Sequence, residues 1–390
     1  NNTNIAYTYD GDGLLQQVGD LVLTRKLTNG MLTGSTLGVT ATSQSYNTFG
    51  ELTQLSASQT SNALLDIHYI RDKAGRITQK SETIAGQNVT WTYTYDKAGR
   101  LTNVVKNGVT TTYEYDANGN RLFHHDVKGT YDTQDRLLSY GNYTYSYTAN
   151  GELMSTTNGT QITAYTYDVL GNLTRVILPN ASKIEYLIDG RNRRIGKKVN
   201  GAKVLGFLYE HQLRPAAELD SNNNIVSRFV YATRINVPDY LIKSGVTYRI
   251  ITDHLGSPRL VVNTATGAVV QRIDYDAFGN ITKDTNPGFQ PFGFAGGLYD
   301  RDTKLVRFGA RDYDAETGRW TTKDPIGFRN NATNLYGYVL SDPLNSIDPI
   351  GLKGITIGYQ GGSLVGLIMG MWVEMGTGVY VGTEGINFFH

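Results

Sequence analysis

The 390-residue chain has no cysteine, which excludes disulfides, thiolate chemistry and cysteine-ligated zinc. A cysteine-free chain suits export through compartments of different redox state, although many cytosolic chains also lack cysteine. Charge is scarce as well. Charged residues make up 18% and the formal net charge is +1, so there is neither a basic field for nucleic acid nor an acidic tail. A partner must then be recognised by shape or apolar contact. The opening Asn1-Asn2-Thr3-Asn4 carries no basic stretch followed by an apolar one, so no signal peptide is visible, and the chain starts as if inside a repeat, which suggests a piece of something longer. No stretch before residue 352 keeps a helical period. His68, His211 and His390 stand alone, and His124 and His125 face opposite ways on a strand, so no metal site and no cofactor are expected.

What the chain does have is tyrosine, 27 against 12 phenylalanines, arranged in a recurring phrase. The phrase reads aromatic, any residue, Tyr-Asp, two residues, Gly, a polar or basic residue, then Leu or Ile. Clear copies start at Tyr93, Tyr113 and Tyr165, and weaker ones lie at Tyr46, Tyr69, Tyr131, Tyr145 and Tyr186. Measured at the Asp position (Asp72, Asp96, Asp116, Asp132, Thr148, Asp168, Asp189), the copies are 16 to 24 residues apart, an elastic period. Flanks such as Trp91-Thr92-Tyr93-Thr94-Tyr95 alternate with the period of a half-buried strand. Asp-x-x-Gly is then a hairpin turn, and Gly99 to Val105 is its return strand. The unit is a hairpin, and units stacked in series make a long antiparallel sheet. Tyrosine suits such a wall, with its ring packed and its hydroxyl reaching water or polar partners on a wetted face.

These phrases resemble the YD repeats of bacterial Rhs proteins, which are related to the toxin-carrying subunit of insecticidal Tc complexes and to the repeat region of teneurins. The resemblance strengthens along the chain through Asp253-His254-Leu255-Gly256-Ser257-Pro258-Arg259, Tyr275-Asp276-Ala277-Phe278-Gly279-Asn280, Phe294-Ala295-Gly296 and the block from Phe308 to Leu352, in the order of the Rhs core-associated region. It implies an all-β fold: a hollow, spiralling antiparallel YD-repeat shell with a C-terminal plug, here with too few repeats for a complete shell. The expected divisions are 1–250 for the shell, 251–352 for the plug and self-cleavage region, and 353–390 for a variable effector segment. The implied partners are the chain's own C-terminal segment as enclosed cargo, an export apparatus such as type VI secretion, a cognate immunity protein and a target membrane, with no nucleic acid. The rival expectations are a non-enzymatic cell-surface YD-repeat protein that binds glycans or cells, and a carrier of a truncated soluble enzymatic toxin.

Within the C-terminal block one phrase occurs twice, as Asp324-Pro325-Ile326-Gly327 and Asp348-Pro349-Ile350-Gly351, with Leu352 closing the second copy. As structure, each is a turn: Pro presets φ, Asp bonds the backbone ahead of it, and Gly takes the fourth position. Two carboxylates brought together by the fold would also form a pair able to share a proton. In the Rhs family this motif marks self-cleavage after the Leu by an aspartic-protease-like pair, with a supporting Arg. The resemblance carries these roles to Asp324, Asp348 and Arg311, and the scissile bond to Leu352–Lys353. Two departures stand out: Asp312 sets an extra carboxylate beside Arg311, and Arg329 to Thr333 lacks the usual Gly-Gly. Asp253, His254 and Ser257 are read as a turn rather than a hydrolase triad, whose members come from distant positions.

After Leu352 the composition changes. Gly354, Gly358, Gly362, Gly366 and Gly370 fall four apart, and from Gly361 to Gly382 only Glu374 is charged. The plain alternatives are a glycine-rich linker or the first piece of a larger enzyme domain. The sharper expectation is a membrane-active segment, with the glycines forming one helical stripe for close packing and Glu374 facing a polar lumen.

Overall fold

The computed structural model describes residues 4–60, 62–330 and 333–352, together with the backbone of the strands Ile355–Gln360, Ser363–Ile368, Met371–Val373, Val379–Gly382 and Gly385–Phe388. Lys353, Gly362, Gly370 and Glu374 lie outside the described residues, as do Asn331 and Ala332 of the loop that lacks Gly-Gly.

The tyrosine phrases form hairpins because each turn is closed by its own aspartate. At Asp96 the backbone N–H groups of Ala98 and Arg100 both donate to Oδ1, at 2.9 and 3.0 Å, while the Arg100 Nε donates to Oδ2 at 2.6 Å. The backbone closes the same ring, with Asp96 N–H to Arg100 O and Gly99 N–H to Asp96 O, both at 3.0 Å. Gly99 sits at φ +86°, a region costly for most side chains. The same two carboxylate bonds recur at Asp72, Asp116, Asp132, Asp168, Asp189, Asp220, Asp253 and Asp276. Where glycine is missing from the turn, Asp135, Asn192 and Asn223 take the left-handed position, the residue types that tolerate it best.

The return strand is not a plain alternation. Opposite Tyr95 and Thr94 stand Leu101 and Asn103, so Thr102 is an extra, bulged residue. The bulge resets the alternation and lets Leu101 and Val104, three apart, both face the core. Leu173 and Val176 repeat the pattern behind the Tyr167 bulge. The unit is bound to its predecessor through tyrosine. Tyr95 donates its hydroxyl to the Ile77 carbonyl at 2.6 Å, Tyr115 to Leu101 at 2.8 Å, Tyr131 to Arg121 at 2.9 Å and Tyr209 to Arg194 at 2.9 Å. Water or polar partners are expected for these hydroxyls, and the partners here are the neighbouring hairpin's backbone carbonyls. The turn arginines stack on the same rings, Arg76 over Tyr95 at 4.8 Å and Arg100 over Tyr115 at 5.0 Å.

Twenty-eight strands from Tyr7–Tyr9 to Ile281–Asp284 form one antiparallel sheet in which each strand pairs with its neighbours in sequence. Among the described residues the first and last strands each pair on one side only, which leaves the sheet open at both ends, as a spiralling partial shell requires. It passes over itself: Val18, Leu21, Leu23, Leu32 and Leu37 share a core with Val230 and Tyr240, and Val39 N–H donates to Thr264 O at 2.8 Å. Arg259 ties the same overlap to Glu82 by two hydrogen bonds, at 2.5 and 2.8 Å.

Beyond the sheet, Leu298–Tyr299, Leu305–Phe308, Arg311–Asp314 and Arg319–Trp320 form a small second sheet. Its core is Phe294, Phe308, Tyr313, Trp320 and Tyr338. This plug is held by the turn ends of the hairpins. Tyr336 donates to Gly151 O at 2.6 Å, Asn345 accepts from Ile77 N–H at 2.9 Å, Asn334 bonds Asn120 at 2.7 Å, and Arg319 and Arg121 make short bonds to Asp135 O and Glu316 O. Buried ion pairs Arg194–Asp312 and Lys197–Asp300, at 2.8 and 2.7 Å, complete the seam.

Because one aspartate satisfies two turn amides and one arginine, Asp96→Ala is expected to cost about 1–3 kcal/mol, while Lys97→Ala in the same turn stays within about 0.5 kcal/mol. Urea denaturation midpoints of the two variants check this.

Candidate functional site

Arg311 opens a plug strand and is 2% exposed. Its guanidinium lies 4.2 Å above the Trp320 ring, which fixes its plane. From there Nη2 donates to Asp324 Oδ2 at 3.0 Å and to Asp348 Oδ2 at 3.3 Å, so one nitrogen serves both carboxylates. Nη1 donates to the Leu335 carbonyl at 3.3 Å and Nε to the Gly351 carbonyl at 2.5 Å. Burial lowers the guanidinium's proton affinity, and the Asp348 and Asp324 carboxylates act against that loss.

Both aspartates head the turns read from the sequence. Gly327 N–H donates to Asp324 O at 2.9 Å and Gly351 N–H to Asp348 O at 3.3 Å, and Asp324 Oδ1 accepts the Ile326 N–H at 3.0 Å. Asp324 is 7% exposed and Asp348 2%. The second turn is sewn to the plug hairpin, with Ala310 N–H donating to Ile350 O at 2.9 Å. Gly351 has φ +66°, and a Cβ there would stand 2.2 Å from the Phe308 carbonyl, so only glycine fits. The half-buried Leu352 donates its N–H to Asp348 Oδ1 at 3.2 Å. The Gly351–Leu352 peptide is thus gripped at its oxygen by Arg311 and at its nitrogen by Asp348, one peptide before the Leu352–Lys353 bond.

The structure therefore brings Arg311, Asp324, Asp348 and Leu352 together. Asp312 does not join them. It points to the opposite face of its strand, bonding Arg194 at 2.8 Å and Arg307 at 3.0 Å. Trp320 and the Leu335 and Gly351 carbonyls escaped the sequence reading, since nothing local marks a ring or a carbonyl as a partner of Arg311. Asp253, His254 and Ser257 form a turn: Asp253 accepts the Leu255 and Ser257 amides, His254 bonds Leu344 O at 2.8 Å, and Ser257 Oγ accepts from Ala295 N–H at 3.0 Å. Gly358 and Gly366 lie on the paired strands Ile355–Gln360 and Ser363–Ile368, opposite Val365 and Ile357. The described backbone there is extended, not the helical stripe expected from the glycine spacing. No helix among the described residues is long and apolar enough to cross a membrane.

The Teneurin YD-shell family matches residues 1–344. The chain belongs to that family. It is 31% identical to mouse (Mus musculus) Teneurin-3 over 298 residues, covering 72% of this chain and 11% of Teneurin-3. It is 27% identical to the tRNA nuclease WapA of Bacillus subtilis over 274 residues, covering 65% of this chain and 11% of WapA. It thus spans about a tenth of the length of these curated relatives. Among solved structures, the Photorhabdus luminescens Tc holotoxin pore superposes with a TM-score of 0.72 at 18% identity, covering 89% of this chain and 20% of that one. TcdB2-TccC3 without its hypervariable C-terminal region gives a TM-score of 0.63, also at 18% identity, with 89% and 20% covered. The two Tc toxin structures share the fold of this chain.

The seam between plug and sheet includes two titratable groups of opposite effect, His254, bonded to Leu344 O, and Asp342, bonded to Asn345. Burial holds the His254 imidazole down to about 4 from its ordinary 6.5, so its stabilising neutral form is complete above pH 6.5 and its contribution is lost as pH falls toward 4. Burial raises the Asp342 carboxyl to about 6 from 3.8, so its contribution is complete below pH 3.8 and lost as pH rises through 6. Melting temperatures from pH 4 to 7 should fall less on the acid side in His254→Gln and less on the neutral side in Asp342→Asn than in the wild type, the remainder coming from groups such as His124 and Asp314 that burial shifts in the same directions.

Proposed function

We propose that this chain is part of a toxin-carrying YD shell that encloses its own C-terminal segment and cuts it free after Leu352. The observation that carries this reading is the single Arg311 nitrogen shared by Asp324 and Asp348, with the same guanidinium and Asp348 holding the peptide that precedes Leu352–Lys353. In the proposed reaction one carboxylate is ionised and the other protonated. With Arg311 the three groups then carry no net charge, the state that burial favours. The ionised carboxylate takes a proton from water as the water oxygen attacks the Leu352 carbonyl carbon, and the protonated one gives its proton to the carbonyl oxygen. Collapse breaks the C–N bond, the Lys353 nitrogen leaves as an amine carrying one of those protons, and Leu352 becomes a carboxylic acid.

A relative named as a tRNA nuclease and structural neighbours from Tc toxins support the carrier role. Delivery would use an export apparatus, and the producing cell would need a cognate immunity protein. The apolar residues 353–390 are proposed to act at the target membrane. A second reading, a cell-surface binding module without cleavage, is favoured by the similarity to teneurins over 72% of the chain.

Denaturing intact-mass measurement of the purified chain separates the two. Cleavage predicts loss of residues 353–390 in the wild type and an uncut chain in Asp324→Asn and in Asp348→Asn. Arg311→Lys, which keeps the charge but loses the fork, should slow cleavage about tenfold or more. A cut that survives both Asn substitutions removes the pair from the reaction. An uncut wild-type chain that binds a glycan array tightly and saturably supports the second reading.

A further inference from the structure

Where the sheet passes over itself, the strands Leu32–Leu37, Thr40–Tyr46 and Leu52–Gln59 face Val246–Thr252 and the loop of residues 233–239 across a cavity of about 70 Å³. Its charged lining is Arg71, Arg234, Arg249, Glu51 and Asp239, three guanidinium groups against two carboxylates. Their hydrogen bonds do not balance either. Arg234 is occupied by the backbone carbonyls of His254 and Asp253, at 3.0 and 2.9 Å. Asp239 is taken up by its own loop, accepting from Ala232 N–H, Thr233 N–H and the Thr233 hydroxyl at 2.7 to 2.8 Å, and comes no nearer to Arg249 than 3.7 Å. Arg249 is 6% exposed and donates Nη2 to Ser35 Oγ at 2.8 Å, while its Nη1 has no partner among the described residues. Arg71 donates Nη1 to Gly75 O at 2.9 Å, and its buried Nε likewise has no partner among the described residues. A buried guanidinium donor without an acceptor is costly, and such atoms are rare in folded proteins.

We propose that this cavity is a binding site for a monocarboxylate, which accepts from Arg249 Nη1 and Arg71 Nε. One negative charge cancels the surplus of the lining, whereas a phosphate dianion would overcompensate it. The volume is about that of two waters, at roughly 30 Å³ each, and admits a group the size of acetate. Two acceptor oxygens suit two guanidinium donors that come from different turns of the spiral, a match that a spherical halide lacks. Burial lowers the proton affinity of both arginines, the direction that a missing counter-charge produces. Bound there, a carboxylate would join the early strands to the late ones and tighten the overlap. The carboxylate could come as a free small acid or on a polypeptide side chain. The chemistry is the same.

The test is thermal unfolding of the whole chain at constant ionic strength in sodium acetate, sodium chloride, sodium phosphate, or the glutamate-bearing peptide acetyl-Gly-Glu-Gly-amide. Acetate is expected to raise the melting temperature saturably, by about 2 °C or more at tenfold excess over its dissociation constant. Chloride and phosphate should not do so. Response to acetate alone identifies a free acid as the source, and response to the peptide as well identifies a side chain. Arg71→Gln, at a half-buried position, should abolish the response while the chain still folds, and Arg249→Gln should do the same if it folds. Equal effects of chloride and acetate, a stronger effect of phosphate, no acetate effect, or an acetate effect retained in Arg71→Gln overturns the proposal.

Discussion

The fold depends on one local interaction, the capture of two turn amides by a single aspartate oxygen. Hairpins are marginal in water because the turn must be ordered before the strands gain anything from pairing. Asp96 and its equivalents supply that order from within five residues, and the second oxygen recruits the following arginine or asparagine. The arginine then becomes a platform for the next unit's tyrosine, whose hydroxyl reaches back to a backbone carbonyl. Turn, strand and neighbour are thus specified by one phrase of about nine residues. The same logic explains the elastic period: strand length varies freely as long as the turn and its tyrosine are kept.

The plug follows a different rule. Beside apolar contacts such as Leu305 on Leu173 and Val176, it is joined to the sheet by buried polar ones, including Arg194–Asp312, Lys197–Asp300 and the arginine bonds to the Asp135 and Glu316 carbonyls. Buried ion pairs contribute little net stability over well-packed apolar contacts, but breaking one is costly. A seam of this kind admits one seating of the plug and penalises others. That matters here because Arg311, Asp324 and Asp348 come from three separate segments, and Asp348 lies only a few residues past Asn345, which fixes the chain to Ile77 and Tyr95.

Much of the repeat region was legible in the sequence because its determinants are local. The Tyr-Asp phrases mark the hairpins, and the doubled Asp-Pro-Ile-Gly marks two similar turns. The bulge at Thr102 was not read, although the spacing of Leu101 and Val104 contains it: two core residues three apart cannot share one face of a regular strand. The destination of the tyrosine hydroxyls and the overlap joining Glu82 to Arg259 depend on how the sheet curls, which no single phrase encodes. At the candidate site, Asp312 looked like an intruder in the sequence, yet strand alternation alone turns it away from Arg311. Gly358 and Gly366 show the opposite failure. A spacing of four fits a helical stripe, but β-branched and aromatic neighbours such as Ile355, Ile357 and Tyr359 favour strands, and the described backbone there follows them.

Nearest-neighbour pairing also has a mechanical consequence. In a sheet whose strands join only those adjacent in sequence, tension applied at one end loads a single ladder at a time, and that ladder opens in sequence with the chain. Such a wall resists pressure spread over its surface yet can be peeled along its length, hairpin after hairpin, by a modest force. The few cross-ties at the overlap and the plug are then the rivets that decide when peeling begins.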